Sequence, residues 1–236
     1  MARKPNNRLL AALSANDWAR IRKNFELTEF VQGHVLVDAG DRYSHVYFPE
    51  QGVVSTVATF ETGAIAETAT TGPEGLISAG AVLGGSHSLN RHVIQVPGSG
   101  YRIEVRQFQK ILRDSVAFRQ RLFTYVQVFL VQAMQSAACN GVHSIEERCA
   151  RWLLMCHDRS SSDRFKLTQE YLAEMLGVSR PSVNRVARMM QAARLIHYNR
   201  GSIEIVDRAG LESIACECYA IVRAHFDQLL PGSFAR

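Results

Sequence analysis

Apolar and polar positions change period twice along the 236-residue chain. From Glu26 to about Glu104, short alternating runs are broken by Gly, Pro and Asn. The segments VQGHVLVDAGD, HVYFPEQGVVSTVATF, GAIAETATTGPEGLISA and NRHVIQVPGSGYRIEV each predict one or two strands. Gly33, Gly40, Gly52, Gly63 and Gly72 punctuate them. Short strands at this spacing predict a β-sandwich or jelly roll. Near Gln107 the period becomes helical, and from Ser115 to about Asn140 it sustains one long apolar helix that Gly141 is expected to end. Ser144-Ile145-Glu146-Glu147 reads as a capping box opening a helix through Trp152, Leu153 and Cys156. DRSSSDR at 158–164 reads as a polar loop. Residues 1–17 read as a loose basic lead-in, with Asp17 capping a short helix through Trp18, Ile21 and Phe25. The pattern predicts an α+β chain with an N-terminal jelly-roll domain over 1–114, a long helix over 115–143 and a helical C-terminal domain over 144–236.

Two apolar stripes run along the long helix. Leu122, Val126, Phe129, Ala133 and Ser136 recur at alternating spacings of four and three, as in a coiled-coil seam. Phe123, Leu130 and Ala137 form a second stripe beside it. One stripe suits the helix's own domain and the other a partner, and Leu122, Val126, Phe129 and Ala133 are the expected dimer interface. The alternative is one broad core face.

The densest chemical signal is LTQEYLAEMLGVSRPSVNRVAR from Leu167 to Arg188. Leu172, Ala173 and Leu176 recur at helical spacing, with Thr168 as N-cap and Gln169 and Glu170 in the first turn. Gly177 supplies a permissive turn, and Ser179 caps a second helix that tolerates Pro181 in its first turn. Val183, Val186, Ala187 and Met190 make the inward stripe, leaving Arg180, Ser182, Asn184, Arg185 and Arg188 outward. Two short helices around a glycine turn make a helix-turn-helix. The competing reading is a helical hairpin with a solvated basic face. Against it, no Asp or Glu occurs from Met175 to Ile203, while five arginines do, and a one-sign stretch suits a polyanion. After it, Leu195 to Val206 reads strand, turn, strand around Asn199-Arg200-Gly201, a wing with Arg200 at its tip. Asp207 then starts a final helix through Leu211, Tyr219, Phe226 and Leu230.

The net charge of +5 and a pI near 9.1 favour an anionic partner, less tellingly than the local acid-free stretch. No uninterrupted run of eighteen apolar residues occurs, so no membrane span is expected. Leu9 to Leu13 is too short for a signal-peptide core, and a cytoplasmic location is expected. The cysteines are at 139, 149, 156, 216 and 218. Buried free thiols are the expectation, with Cys149 and Cys156 on a core face. Cys216-Glu217-Cys218 is a C-x-C with no second pair in sequence to complete a tetrahedral site, so no metal is expected.

The order of these segments resembles the CRP/FNR superfamily of bacterial transcription regulators across nearly the whole chain. LTQEYLAEMLGVSRPSVNRVARMMQAARLI resembles its DNA-binding motif, HVYFPEQGVVS its early jelly-roll strands, and SIEERCARWLLMCHDR the helix opening its DNA-binding domain. LESIACECYAIVRAHFDQLL resembles a subgroup with an extra helix after the wing. The resemblance implies a cyclic-nucleotide-binding-like sensor domain, a dimerisation helix and a winged helix-turn-helix. It implies double-stranded DNA with a pseudo-palindromic operator, a second copy of the chain and RNA polymerase as partners. Arg180 and Arg185 match the base-reading arginines, fit for bidentate contacts with guanine. Ser179, Ser182, Thr168 and Gln169 match phosphate-contacting positions. Asn184, Arg188 and Arg200 join them as DNA-facing residues. Pro181 replaces a glutamate that can accept from cytosine, so the family's best-known half-site does not transfer unchanged. In the sensor domain, Gly72-Pro73-Glu74-Gly75-Leu76 lies where a phosphate cassette is expected, but no Arg-Ser or Arg-Thr pair follows. Glu74, Gly75 and the out-of-register Arg91 are the candidate effector residues, for a small-molecule or nucleotide effector of unknown identity. An iron–sulfur sensor would need an N-terminal cysteine cluster, and no cysteine precedes Cys139.

Two other functions compete. An enzyme on a jelly roll would need converging His and carboxylate ligands, but the β-region has no His-x-His, and no local motif suggests a Ser-His-Asp or Cys-His constellation. An enzyme is therefore not expected. A ligand-independent DNA binder, whose β-domain serves only dimerisation, fits a degenerate cassette as well as a cyclic-nucleotide-responsive or other gated regulator does.

Overall fold

Two long strands rich in β-branched and aromatic residues hold the N-terminal domain together. A computed structural model describes residues 4–234. Its antiparallel sheet consists of β1 (Glu26–Phe30), β2 (Val35–Val37), β3 (His45–Thr59), β4 (Ile65–Thr71) and β5 (Arg91–Glu104). The order is β1-β5-β3-β4, with β2 also pairing with β5. β3 and β5 pair from His45↔Glu104 to Val57↔Arg91, with register shifts between Pro49 and Val54. HVYFPEQGVVSTVATF is thus mainly one bent strand rather than two. Gly52 is a bend within it rather than a break: its φ is +94°, and a Cβ there would lie 2.6 Å from the Val96 carbonyl oxygen.

The lead-in is not loose, although residues 1–3 lie outside the described residues. Asn7 is buried, donates to the carbonyls of Pro49 (3.0 Å) and Gly75 (2.8 Å), and caps α1 (Arg8–Ala11). Leu9 and Leu10 enter the core. Ser14, not Asp17, caps α2 (Ala15–Ile21), because its hydroxyl accepts from the Asp17 N–H.

After α3 (Val105–Asp114), Ser115 caps the long α4 (Val116–Val142). Gly141 stays helical, and the chain turns extended only at His143. One glycine costs a helix about 1 kcal/mol, which tertiary packing outweighs. By length and mean hydropathy α4 could cross a membrane. Here Phe118, Leu122, Tyr125 and Val128 instead pack into the β-domain core, and buried Gln132 donates to the Thr70 carbonyl at 2.8 Å.

The C-terminal part begins with α5 (Ile145–Arg159), opened by the expected Ser144–Glu147 capping box. β6 (Arg164–Lys166), α6 (Gln169–Leu176), α7 (Arg180–Ala192), β7 (Ile196–Asn199) and β8 (Ser202–Ile205) follow. The expected final helix is two, α8 (Arg208–Ile214) and α9 (Cys218–Leu229), broken around Cys216. α9 returns to α4, where Val222 and Phe226 join the first core. The second core unites both halves, since Val53, Val57, Val93 and Val96 of the sheet pack with Trp152, Met175 and Val186.

Asp158 and Arg159 belong to α5 and its buried junctions rather than to a polar loop. Arg159 donates from Nε to Glu74 at 2.8 Å and from a terminal nitrogen to Gln132 Oε1 at 3.0 Å. Both charged side chains are 1% exposed. Asp158 accepts from Arg208 (2.7 Å), Arg223 (2.9 Å) and the Tyr219 hydroxyl (2.9 Å). Trp152 Nε1 and the Ser55 hydroxyl both donate to buried Glu67.

Removing one partner of a buried ion pair leaves an uncompensated charge. Arg159→Ala is therefore expected to cost about 3–5 kcal/mol in denaturant unfolding, and the joint Arg159→Met, Glu74→Gln change clearly less. A loss below about 1 kcal/mol for the single change contradicts this placement.

Burial raises the Glu67 carboxyl to about 7, although hydrogen bonds from Ser55 and Trp152 oppose the shift. Burial lowers His92 to about 4. The folded chain keeps the Glu67 proton above pH 4.5, where the unfolded chain loses it, so this group's stabilisation fades as pH rises from 4.5 to 7. His92 acts oppositely: its stabilisation fades as pH falls from 6.5 to 4. Relative to wild type, Glu67→Gln should gain about 3 kcal/mol in stability between pH 4.5 and 7, and His92→Gln should lose a similar amount from 4 to 6.5. Unfolding curves across pH check this, and parallel profiles for all three proteins would contradict it.

Candidate nucleic-acid interface

The outward face of α7 is built from three local devices. Thr168 and Ser179 cap α6 and α7, their hydroxyls accepting from the N–H groups of Tyr171 and Ser182. Gly177 takes φ +62°, bringing the two helices together. Arg148 of α5 donates to the Leu176 carbonyl, satisfying the end of α6. Val183, Val186, Ala187 and Met190 are buried as expected. Arg180, Arg185 and Arg188 are exposed, while Ser182 and Asn184 are half-buried. Gln169 is half-buried at the start of α6, beside Thr168, and Ser179 is exposed.

The wing lies next to this face. β7 and β8 pair from Ile196↔Ile205 to Asn199↔Ser202. Arg200 and Gly201 take φ +46° and +77°, the two positive angles of a primed hairpin turn. A third strand, β6, pairs with β8 and was not expected, because three residues, RFK, are too few to show alternation. Arg200 is exposed at the tip.

One contact on this face was invisible in sequence. Arg185, 70% exposed, forms an ion pair with Glu146 in the first turn of α5 at 2.9 Å. The second candidate base reader is thus tethered from outside the acid-free stretch.

The structure does not assemble the candidate effector residues. Glu74 is committed to Arg159 and the Gly72 N–H. Gly75 lies against the Tyr125 ring, where a Cβ would approach to 2.4 Å. Arg91 instead makes a bidentate pair with Asp38 at 2.9 and 2.8 Å. A cavity of about 580 Å³ opens nearby, between the sheet and α4. Leu76, Leu83, Val126, Phe129 and Leu130 give it apolar walls, and among the described residues no Lys or Arg lines it. Its polar groups include Thr56 and His92, whose side chains are 3.1 Å apart.

The dimer stripe needs correction. Leu122 is fully buried in its own core and unavailable to a partner. Val126 and Phe129 are half-buried and line the cavity, and Ala133 is half-buried. The second stripe is the open one: Phe123, Leu130 and Ala137 are exposed, with Val116 and Met134 on either side. The cysteines of the two distant segments also come together. Cys139 and His143 meet Cys216 and Cys218, completing four ligand-type side chains that sequence spacing kept apart. Cys149 and Cys156 are buried as expected.

A Crp-like helix-turn-helix domain matches residues 147–214. The HTH-type transcriptional regulator Cmr of Mycobacterium tuberculosis is 40% identical over 58 residues, 25% of this chain and 24% of its own length. The chain thus matches about a quarter of that curated relative. Among solved structures, FixK2 from Bradyrhizobium japonicum aligns with a TM-score of 0.69 at 15% identity, covering 81% of this chain and 98% of its own. A CRP/FNR-family regulator from Eubacterium rectale aligns at 0.66 and 18% identity, covering 87% and 96%. Cmr and the Eubacterium rectale protein are transcriptional regulators. The chain therefore carries a Crp-like helix-turn-helix domain at residues 147–214, within a fold shared with solved CRP/FNR-family structures.

Proposed function

We propose that the chain is a DNA-binding transcription regulator that acts as a homodimer and is gated through its β-domain. The observation that carries this reading is the acid-free, exposed arginine face of α7 beside an arginine-tipped wing. Arg180 and Arg185 present guanidinium forks suited to guanine O6 and N7 in the major groove. Thr168, Gln169, Ser179, Ser182, Asn184, Arg188 and Arg200 surround them with phosphate-binding groups. Pro181 offers no donor or acceptor at the neighbouring base. RNA polymerase is the further partner of such a regulator, and the cytoplasm its location.

Two copies pack through the exposed α4 stripe of Val116, Phe123, Leu130 and Ala137, spaced seven apart, with Val126 and Ala133 alongside. This places the recognition helices about 34 Å apart, in successive major grooves of a pseudo-palindrome. The gate is the cavity between sheet and α4. Its apolar walls, neutral His92 and lack of lining cations suit an uncharged apolar molecule better than a cyclic phosphate. Leu130 belongs to both cavity and stripe, so a ligand there acts directly on the dimer contact.

Duplex binding measured by fluorescence anisotropy tests the readout. Arg180→Ala should lose about 1–3 kcal/mol on the preferred operator and relax its sequence preference. Arg200→Ala should weaken all duplexes alike and lower the salt slope by about 1. Glu146→Gln should free Arg185 and tighten binding by no more than about 5-fold, the scale of an exposed ion pair. Equal binding of operator and random duplex by the wild type would sink the proposal.

Phe123→Glu places a charge in the open stripe and should convert dimers to monomers in light scattering. An unchanged dimer would show that the copies meet elsewhere.

A further inference from the structure

Four ligand-type side chains converge where the long helix ends. Cys139 lies in the last turns of α4, and His143 is the residue that stops that helix. Cys216 and Cys218 flank the break between α8 and α9. One ligand atom from each lies within 4.8 Å of all the others. Cys139 Sγ is 3.5 Å from Cys216 Sγ, and Cys218 Sγ is 3.6 Å from His143 Nδ1. A tetrahedral zinc, with Zn–S about 2.3 Å and Zn–N about 2.0–2.1 Å, sets S···S edges of about 3.8 Å and S···N edges of about 3.5 Å. The chain already holds these atoms near such edges. We propose that Cys139, His143, Cys216 and Cys218 form a closed Cys3His site for one zinc ion.

The surroundings support this assignment. His143 Nε2 lies 3.1 Å from a Glu217 carboxylate oxygen, so the Nε2–H donates to the carboxylate and leaves Nδ1 free to ligate. Three thiolates, one neutral imidazole and Zn²⁺ carry a net charge of −1, which calls for a nearby cation. Arg151 is buried, its Nε has no hydrogen-bond partner, and its charge acts on Cys139. Arg148 likewise feels Cys139 and Cys216. Three sulfur ligands argue against magnesium or calcium, which take oxygen. The ligand atoms are too close together for an iron–sulfur cluster, whose irons and bridging sulfides spread the cysteines apart. The competing fate is a Cys139–Cys216 disulfide, which would leave Cys218 and His143 without a role.

Binding exchanges the three thiol protons, released to solvent, for one Zn²⁺. The ion ties the end of α4 to the α8–α9 break. The long helix and the last two helices of the C-terminal domain then move as one body.

The full-length chain purified under reducing conditions should contain about one zinc by mass spectrometry of the metal. Chelator-stripped protein titrated with cobalt(II) should develop thiolate charge-transfer and tetrahedral ligand-field bands that saturate at about one equivalent. Glu217→Gln should weaken zinc about 10-fold, and Cys216→Ser should lose the tetrahedral bands, while Cys149→Ala keeps them. If Cys216→Ser does not fold, the wild-type cobalt titration still decides. Absence of the bands, retention of them in a folded Cys216→Ser, or a Cys139–Cys216 disulfide in place of zinc overturns the site.

Discussion

The Arg159–Glu74 pair is the constraint around which the two halves of the chain are fixed. An ionised guanidinium with almost no exposure survives only if its partner and hydrogen bonds are in place. Glu74 comes from the loop after β4, Gln132 from α4 and Arg159 from the end of α5. Three elements must therefore arrive together before the charge is satisfied. The ring of Phe234 closes the same site, 5.1 Å from the guanidinium carbon, bringing in the segment after α9. A junction of this kind resists small displacements, because any shift leaves a buried charge unpaired.

Around that junction, the chain separates a packed interior from two open faces. The sheet valines and the helix-turn-helix share one core, so α6 rests on the β-domain while α7 looks outward. Arg185 bridges back to Glu146, which couples the recognition face to the helix that also carries Arg159. On the other side, the apolar cavity ends at the exposed stripe of α4. A signal in that cavity and a partner on that stripe would act through the same side chains.

Much of the readout was legible from local rules. Thr168, Ser179 and Asp207 cap helices as their residue types demand, and Ser144 with Glu147 closes its box. The inward stripe of α7 follows from its 3.6-residue period. The candidate sensor residues were not legible, because their partners lie far away in sequence. Glu74 meets Arg159 85 positions on, and Arg91 meets Asp38 53 positions back. A motif fragment such as Gly-Pro-Glu-Gly does not reveal whether its carboxylate faces a ligand or an arginine. The stripes of α4 were both visible, but which one the protein covers depends on the sheet packed against it. Leu122 and Phe123 are neighbours in sequence, yet one is buried and the other open.

The sequence by itself determined the helix-turn-helix, its caps, the inward stripe of α7 and the one-sign charge of its outer face. These depend on residues within a few positions of one another, where propensity, capping and charge act directly. Only the tertiary structure decided that Glu74 and Arg91 are already partnered, that the α4 stripe of Phe123 and Leu130 is the open one, and that Cys139 and His143 meet a C-x-C more than seventy residues later. Those outcomes depend on long-range packing, which sets what stands opposite each side chain.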